Sequence, residues 1–275
     1  MPDQAAELRS LMRNAEQSRP RTNGPAAPIL VVQGGKGGVG ATWLSVNLAI
    51  GLALQGGRTV LVDANLNHAD AASYCGVQDR DTIAEVMRGE RDLREVLQPG
   101  PAGLLVAAGA WAPSFMAEAS DRMQQRLVDQ IRTLGSHAER IVVDLGAGTG
   151  PLARKFWQAA DQALVVATPD TAALMDSYAT IKTLHRAGQA EIGFLVNQAK
   201  SSAEADELFA RLERSCRRFL NTPITSYGDI PSDPLLPSSI EQGEPLLLLR
   251  PQADASAGIQ RLASRIFHRS LQEAA

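Results

Sequence analysis

The chain has 275 residues, 44% of them hydrophobic, and a net charge of -3, which supports one large α/β domain or two small ones. The acidic balance disfavours broad nucleic-acid binding, so DNA is not an expected partner. Cys75 and Cys216 lack C-x-x-C spacing, His68, His137, His185 and His268 form no cluster, and no apolar run nears a membrane span; disulfide, zinc and transmembrane classes drop out and a cytoplasmic location is expected.

Residues 3–18 carry Leu8, Leu11, Met12 and Ala15 at spacings of three and four. This predicts a helix with Asp3 as N-cap. A helix so short is marginal alone in water, and the polar Pro/Gly stretch Ser18-Arg19-Pro20-Arg21-Thr22-Asn23-Gly24-Pro25 cuts it off. It is expected to be loose and to dock on something. Residues 1–27 are therefore read as a docking helix plus linker, and 28–275 as the main domain.

The apolar run Ile29-Leu30-Val31-Val32 predicts a strand. Gln33-Gly34-Gly35-Lys36-Gly37-Gly38-Val39-Gly40-Ala41-Thr42 follows, then an amphipathic segment with Leu44, Leu48, Ile50, Leu52 and Leu54. Strand, glycine loop and helix are the layout of a phosphate-binding loop, whose backbone N–H groups and helix N-terminus close on an anion. Thr42 stands where a hydroxyl holds Mg²⁺. The usual lysine just before it is replaced by Ala41, and a different lysine, Lys36, stands near the start of the loop.

A second strand, Thr59–Asp63, ends in a carboxylate followed by Ala64 and Asn65. Residues 82–97 read as one or two short helices, 103–109 as a third strand, and 121–134 as a helix with Met123, Leu127, Val128, Ile131 and Leu134 on one stripe. A fourth strand, Arg140–Asp144, precedes Leu145-Gly146-Ala147-Gly148. The fifth, Ala163–Ala167, leads through Thr168-Pro169-Asp170 into a helix carrying Met175, Tyr178, Ile181 and Leu184. The sixth, Ile192–Val196, ends at Asn197. Another helix covers about 204–219, and the last helix covers about 256–271. That helix sets Ile259, Leu262, Ile266, Phe267 and Leu271 on one face and Arg261, Arg265 and Arg269 on another. The pattern suits packing on the domain, the favoured reading, or a membrane surface. Strands alternating with helices predict an α/β fold, a mainly parallel sheet flanked by helices on both faces, with sites at strand ends.

Lys36-Gly37-Gly38-Val39-Gly40 with Thr42 resembles the deviant P-loop KGGxGK[ST] of the MinD/ParA family of P-loop NTPases. Asp3-Gln4-Ala5-Ala6-Glu7-Leu8-Arg9 matches the D-Q-A-x-x-L-R motif of its FlhG (FleN) branch, the flagellar number regulators. The resemblance runs from Asp3 to about Ser270. It implies ATP or ADP held by Gly35, Lys36, Gly37, Gly38, Val39, Gly40, Ala41 and Thr42, and Mg²⁺ at Thr42, Asp63 and Asp144. It places Asn197 and Pro231 at the base. In the family the early lysine reaches across a nucleotide-dependent homodimer, and the aspartate at the position of Asn65 aligns the attacking water. The resemblance also implies docking of Asp3, Gln4, Ala5, Leu8 and Arg9 to the GTPase FlhF, and a role in flagellar basal-body assembly. Lys36, Asp63 and Asn65 occupy the family's catalytic positions. Two departures stand out: Ala41 lacks the phosphate lysine, and Asn65 carries an amide that cannot act as a base. A nucleotide-responsive switch with weak hydrolysis is the expectation. Its rivals are a MgATPase cycling at the inner face of the plasma membrane with Lys36 substituting, and a ParA-type partitioning protein. An iron–sulfur carrier would need paired cysteines around residues 110–150, and the sequence has none.

Overall fold

Val60–Val62, Ile141–Val143, Ala163–Val166 and Ile192–Val196, like Leu30–Val32, are unbroken apolar runs buried along their length. That is the pattern of strands covered on both faces. The computed structural model describes residues 27–273 apart from 67, 79 and 111–118; the expected helix over 3–18 and its linker lie outside them. The strands are β1 (Ile29–Gly34), β2 (Thr59–Asp63), β3 (Leu97–Pro99), β4 (Leu105–Ala107), β5 (Arg140–Ala147), β6 (Gln162–Ala167), β7 (Glu191–Ala199) and β8 (Thr225–Pro231). They form one sheet in the order β3-β4-β2-β5-β1-β6-β7-β8. Only the β3–β4 pair is antiparallel.

The helices are α1 (Ala41–Leu54), α2 (Ala71–Tyr74), α3 (Ile83–Arg88), α4 (Leu93–Val96), α5 (Asp121–Arg132), α6 (Pro151–Ala159), α7 (Thr171–Leu184), α8 (Ser202–Leu220), α9 (Leu236–Gln242), α10 (Leu246–Leu249) and α11 (Asp254–Glu273). The β1–α1–β2 connection crosses the sheet in one direction and β6–α7–β7–α8–β8 in the other. Right-handed crossovers then set α1 and the α7–α8 pair on opposite faces. The mainly parallel sheet with helices on both faces is thus observed. α1 is buried nearly all round, because α11 covers its outer side. A Cβ at Gly51 would stand 3.1 Å from Ala263, so the glycine permits this close packing. Ile259, Leu262 and Ile266 are buried, while Arg261 and Arg265 face solvent. The apolar face of the last helix is therefore covered by the domain itself.

Two strands were not anticipated, and one is shorter than expected. Leu97 does not continue the helical stretch; it opens β3, a three-residue edge strand ending in Pro99. β8 carries no apolar run in sequence, yet it pairs with β7 with irregularities in register. Edge strands tolerate Pro, Gly and polar residues because one side of the ladder is free. The strand expected over 103–109 contracts to β4, since Pro101–Gly103 turns as a 3₁₀ segment.

The sheet and the layer above it are joined through Gln33, fully buried on β1. Its carbonyl accepts the Trp157 indole N–H at 2.9 Å, and its amide donates to the Gly148 carbonyl. Gln33→Ala would orphan a buried indole donor. It is expected to cost about 1–3 kcal/mol, read as a lower urea midpoint with an unchanged m-value.

Candidate functional site

The glycine loop lies between the end of β1 and the start of α1. Gly38 and Gly40 have φ of 81° and 82°, the left-handed region that side chains avoid. Gly40 is the N-cap of α1 and offers no side-chain cap, so the first N–H groups of the helix have no capping side chain at the loop. Such orphan donors are what an anion satisfies. Ala41 and Thr42 are the first two residues of α1. Ala41 is buried and carries only a methyl group where the family's phosphate lysine would stand.

Neighbours hold the loop closely. A Cβ at Gly35 would lie 2.7 Å from the Ser177 amide on α7, and one at Gly40 would lie 2.5 Å from the Asn197 side-chain nitrogen. Asn197 is 1% exposed. Its Nδ2 donates to the Val39 carbonyl at 2.8 Å, and its Oδ1 accepts the Gln198 N–H at 3.0 Å. Its amide thus braces the loop and keeps a second N–H and a second lone pair. Pro231, at the end of β8, pairs with Ala199 one strand further out.

Lys36 turns to its own chain. Its Nζ lies 3.1 and 3.3 Å from the two carboxylate oxygens of Asp170. Asp170 caps α7 by accepting the Ala173 N–H at 2.8 Å and also accepts the Thr168 hydroxyl at 2.6 Å. The Thr168 hydroxyl first, then the Ala173 N–H and Lys36, hold the Asp170 carboxyl down to about 2. Both partners of the ion pair are substantially exposed, so it fixes a direction more than it adds stability.

Across the loop, β2 and β5 place Asp63 and Asp144 in register at their ends. Both are fully buried. Asp63 accepts the Asn65 N–H at 3.1 Å and the Ala71 N–H at 3.0 Å, one on each oxygen. Burial, then repulsion by Asp144, raises its pKa well above the usual carboxylate range. In Asp144, Oδ1 accepts the Ser45 hydroxyl at 3.3 Å and the Gly146 N–H at 3.1 Å, while Oδ2 has no hydrogen-bond partner. Burial lifts Asp144 to about 6 despite the Thr42 hydroxyl beside it. An unsatisfied buried carboxylate oxygen, a second carboxylate and a threonine hydroxyl are hard oxygen ligands, and they fit a Mg²⁺ that keeps most of its waters. Asn65 is buried in the same place. Its amide lies 3.5 Å from the Thr42 hydroxyl, and a Cβ at Gly146 would come 2.6 Å from its Oδ1.

The structure therefore brings Thr42, Asp63, Asn65 and Asp144 together beside the glycine loop, with Asn197 bracing that loop at Val39. Asp3, Gln4, Ala5, Leu8 and Arg9 lie outside the described residues. Sequence reasoning missed Ser45, Ser177 and the Asp170 capping carboxylate. Only Asp170 had a legible signal, an acidic residue after Thr-Pro at a helix start.

A glycine loop between a strand and a helix, at the strand ends of a parallel sheet, is the layout of a P-loop NTPase. The profile of the ParA family, described as NUBPL iron-transfer P-loop NTPase, matches residues 26–267, and the chain belongs to this family. The antiactivator FleN of Pseudomonas aeruginosa is 33% identical over 239 residues, covering 86% of this chain and 85% of that protein. The flagellum site-determining protein YlxH of Helicobacter pylori is 28% identical over 269 residues, covering 96% and 90%. In fold, the chain matches the septum site-determining protein MinD of Pyrococcus horikoshii, solved with Mg-ADP. The TM-score is 0.74 at 22% identity, covering 87% and 96%. The iron chemistry in the family's description finds no thiolate pair here. Cys75 and Cys216 are both buried, and burial pushes their thiols up to about 12 and about 11.

The raised Asp144 pKa sets a stability slope. Between 3.8 and about 6 the folded chain keeps a proton that the unfolded chain has lost, so stability falls as pH rises through that window and levels off above it. Relative to Asp144→Asn, the unmodified protein without metal should lose more stability between about pH 4 and about pH 7.5, the buried carboxyls of Asp63 and Asp144 contributing as a pair. Urea midpoints of both at each pH measure this.

Proposed function

We propose that this chain is a nucleotide-responsive regulator of flagellar number or placement, of the FlhG (FleN) type, with weakened ATP hydrolysis. The observation that carries the reading is the 33% identity to the antiactivator FleN along 86% of the chain. The name of the Helicobacter relative, flagellum site-determining protein, points the same way. ATP or ADP would lie on the Gly35–Thr42 loop, with Mg²⁺ between the Thr42 hydroxyl and Asp144; the Mg-ADP bound to a MinD of the same fold supports this. Mg²⁺ supplies charge on the β- and γ-phosphates. Thr42 and Asp144 orient it, the α1 N-terminus receives the phosphates, and Asn65 holds a water without taking its proton. A nucleotide-dependent homodimer would require Lys36 to leave Asp170. Asp3 to Arg9 would dock on a GTPase of the FlhF type. The cytoplasm is the expected location. No helix among the described residues is long and apolar enough to cross a membrane. A second reading, a working MgATPase, is favoured by the retained Thr42 and Asp144.

Ala41→Lys should tighten ATP by roughly ten- to a hundredfold, since a charged hydrogen bond contributes about 1.5–3 kcal/mol. Calorimetry with and without Mg²⁺ tests it, and no gain would mean that the loop does not hold phosphate in the expected way.

Turnover should be negligible even at saturating ATP. General-base help alone is worth about 10²–10⁴ in rate, and electrostatic stabilisation of the phosphoryl group adds to that. Ala41→Lys with Asn65→Asp should recover phosphate release better than either change alone. Ordinary turnover in the unmodified protein, abolished by Lys36→Ala, would establish the second reading instead.

Deleting residues 1–18 should leave folding unchanged and remove stimulation of an FlhF-type GTPase. Equal stimulation by both forms would refute the partner assignment.

A further inference from the structure

A groove of about 500 Å³ runs between α7 and α8. Leu174 and Leu212 are buried along it, and Met175 and Phe219 border it at 67% exposure each. These two are the most exposed large apolar side chains among the described residues. The rim is basic. Arg211 lines the groove itself; an adjoining pocket on α8, which shares Arg211, Ser215 and Phe219, adds Arg214, Arg218 and Arg217, the last paired with Glu213, and the Arg218 guanidinium lies 5.3 Å from the centre of the Phe219 ring. An apolar trough between two helices with charged edges receives the apolar face of an amphipathic helix.

Residues 3–18 of the same chain have that face. At about 100° per residue, Leu8, Leu11, Met12 and Ala15 make one stripe, and Glu7 and Glu16 border it on opposite sides. Whichever way the helix runs along the groove, one of them is turned toward the arginines of α8. Residues 19–26 form a tether that spans at most about 26–29 Å when extended. Ala27 enters β1 at its N-terminal end. Phe219 closes α8, which leads into the N-terminal end of β8, and β8 is parallel to β1 through β6 and β7. Both points are thus at the same end of the sheet. They are three strand spacings apart, about 14 Å, plus a layer step of about 10 Å, within the reach of the tether.

We propose that residues 3–18 dock as a helix in the α7–α8 groove of their own chain. Leu8, Leu11 and Met12 lie against Met175 and Phe219, and one of the two flanking glutamates faces the arginines of α8. The segment is then available to an outside partner only when it undocks. The docking is intramolecular and stands whether or not a GTPase is the partner.

Hydrogen exchange of the full-length chain, with no partner present, tests it. A tether of this kind gives a millimolar effective concentration, so a site of about 0.1 mM affinity would be filled about nine-tenths of the time and exchange over residues 3–18 would slow about tenfold. Met175→Asp and Phe219→Asp, both at exposed positions, should each abolish that protection while leaving exchange in the sheet unchanged. Fast exchange over 3–18 in the unmodified chain would overturn the proposal, as would protection that survives both substitutions. Protection that disappears on tenfold dilution would also overturn it, by placing the segment in the groove of a second copy.

Discussion

The rest of the structure depends on close approach without side chains. Gly35 meets Ser177, Gly40 meets Asn197 and Gly146 meets Asn65 at distances where a Cβ has no room. Each glycine comes from a strand end or the loop beside it, and each neighbour from a different element. The phosphate loop is therefore shaped by α7, β7 and the segment after β2 as much as by its own sequence. With φ positive at Gly38 and Gly40, the backbone N–H groups turn inward rather than into a helix or ladder. An anion is the natural partner for donors arranged this way.

Charge supplies the second constraint. Parallel pairing of β2 with β5 brings Asp63 and Asp144 side by side, in a place water does not reach. Asp63 relieves this by ordering the following loop through two N–H groups. Asp144 relieves it only on one oxygen. A divalent cation would resolve both the repulsion and the unsatisfied oxygen, and Ala41 and Asn65 bring neither a positive charge nor a base to the same place.

α7 links these features. Asp170 at its start holds Lys36, Ser177 in its middle touches the phosphate loop, and Leu174 and Met175 line the groove on its outer side. Loop and groove are thus opposite sides of one short helix, within two turns of each other.

The sequence by itself determined the strand-loop-helix unit, the apolar runs of the central strands and the polar residues at their ends. Those signals are local: periodicity, glycine spacing and carboxylates following buried strands. It did not determine β3 or β8, because an edge strand needs only half a ladder and carries no apolar run. Nor did it show that Asn197 braces Val39, that Ser45 supports Asp144, or that Lys36 lies on Asp170. Those pairings join residues separated by 158, 99 and 134 positions. Only the order in which the strands are laid side by side decides which strand ends meet, and that order is a property of the packed sheet.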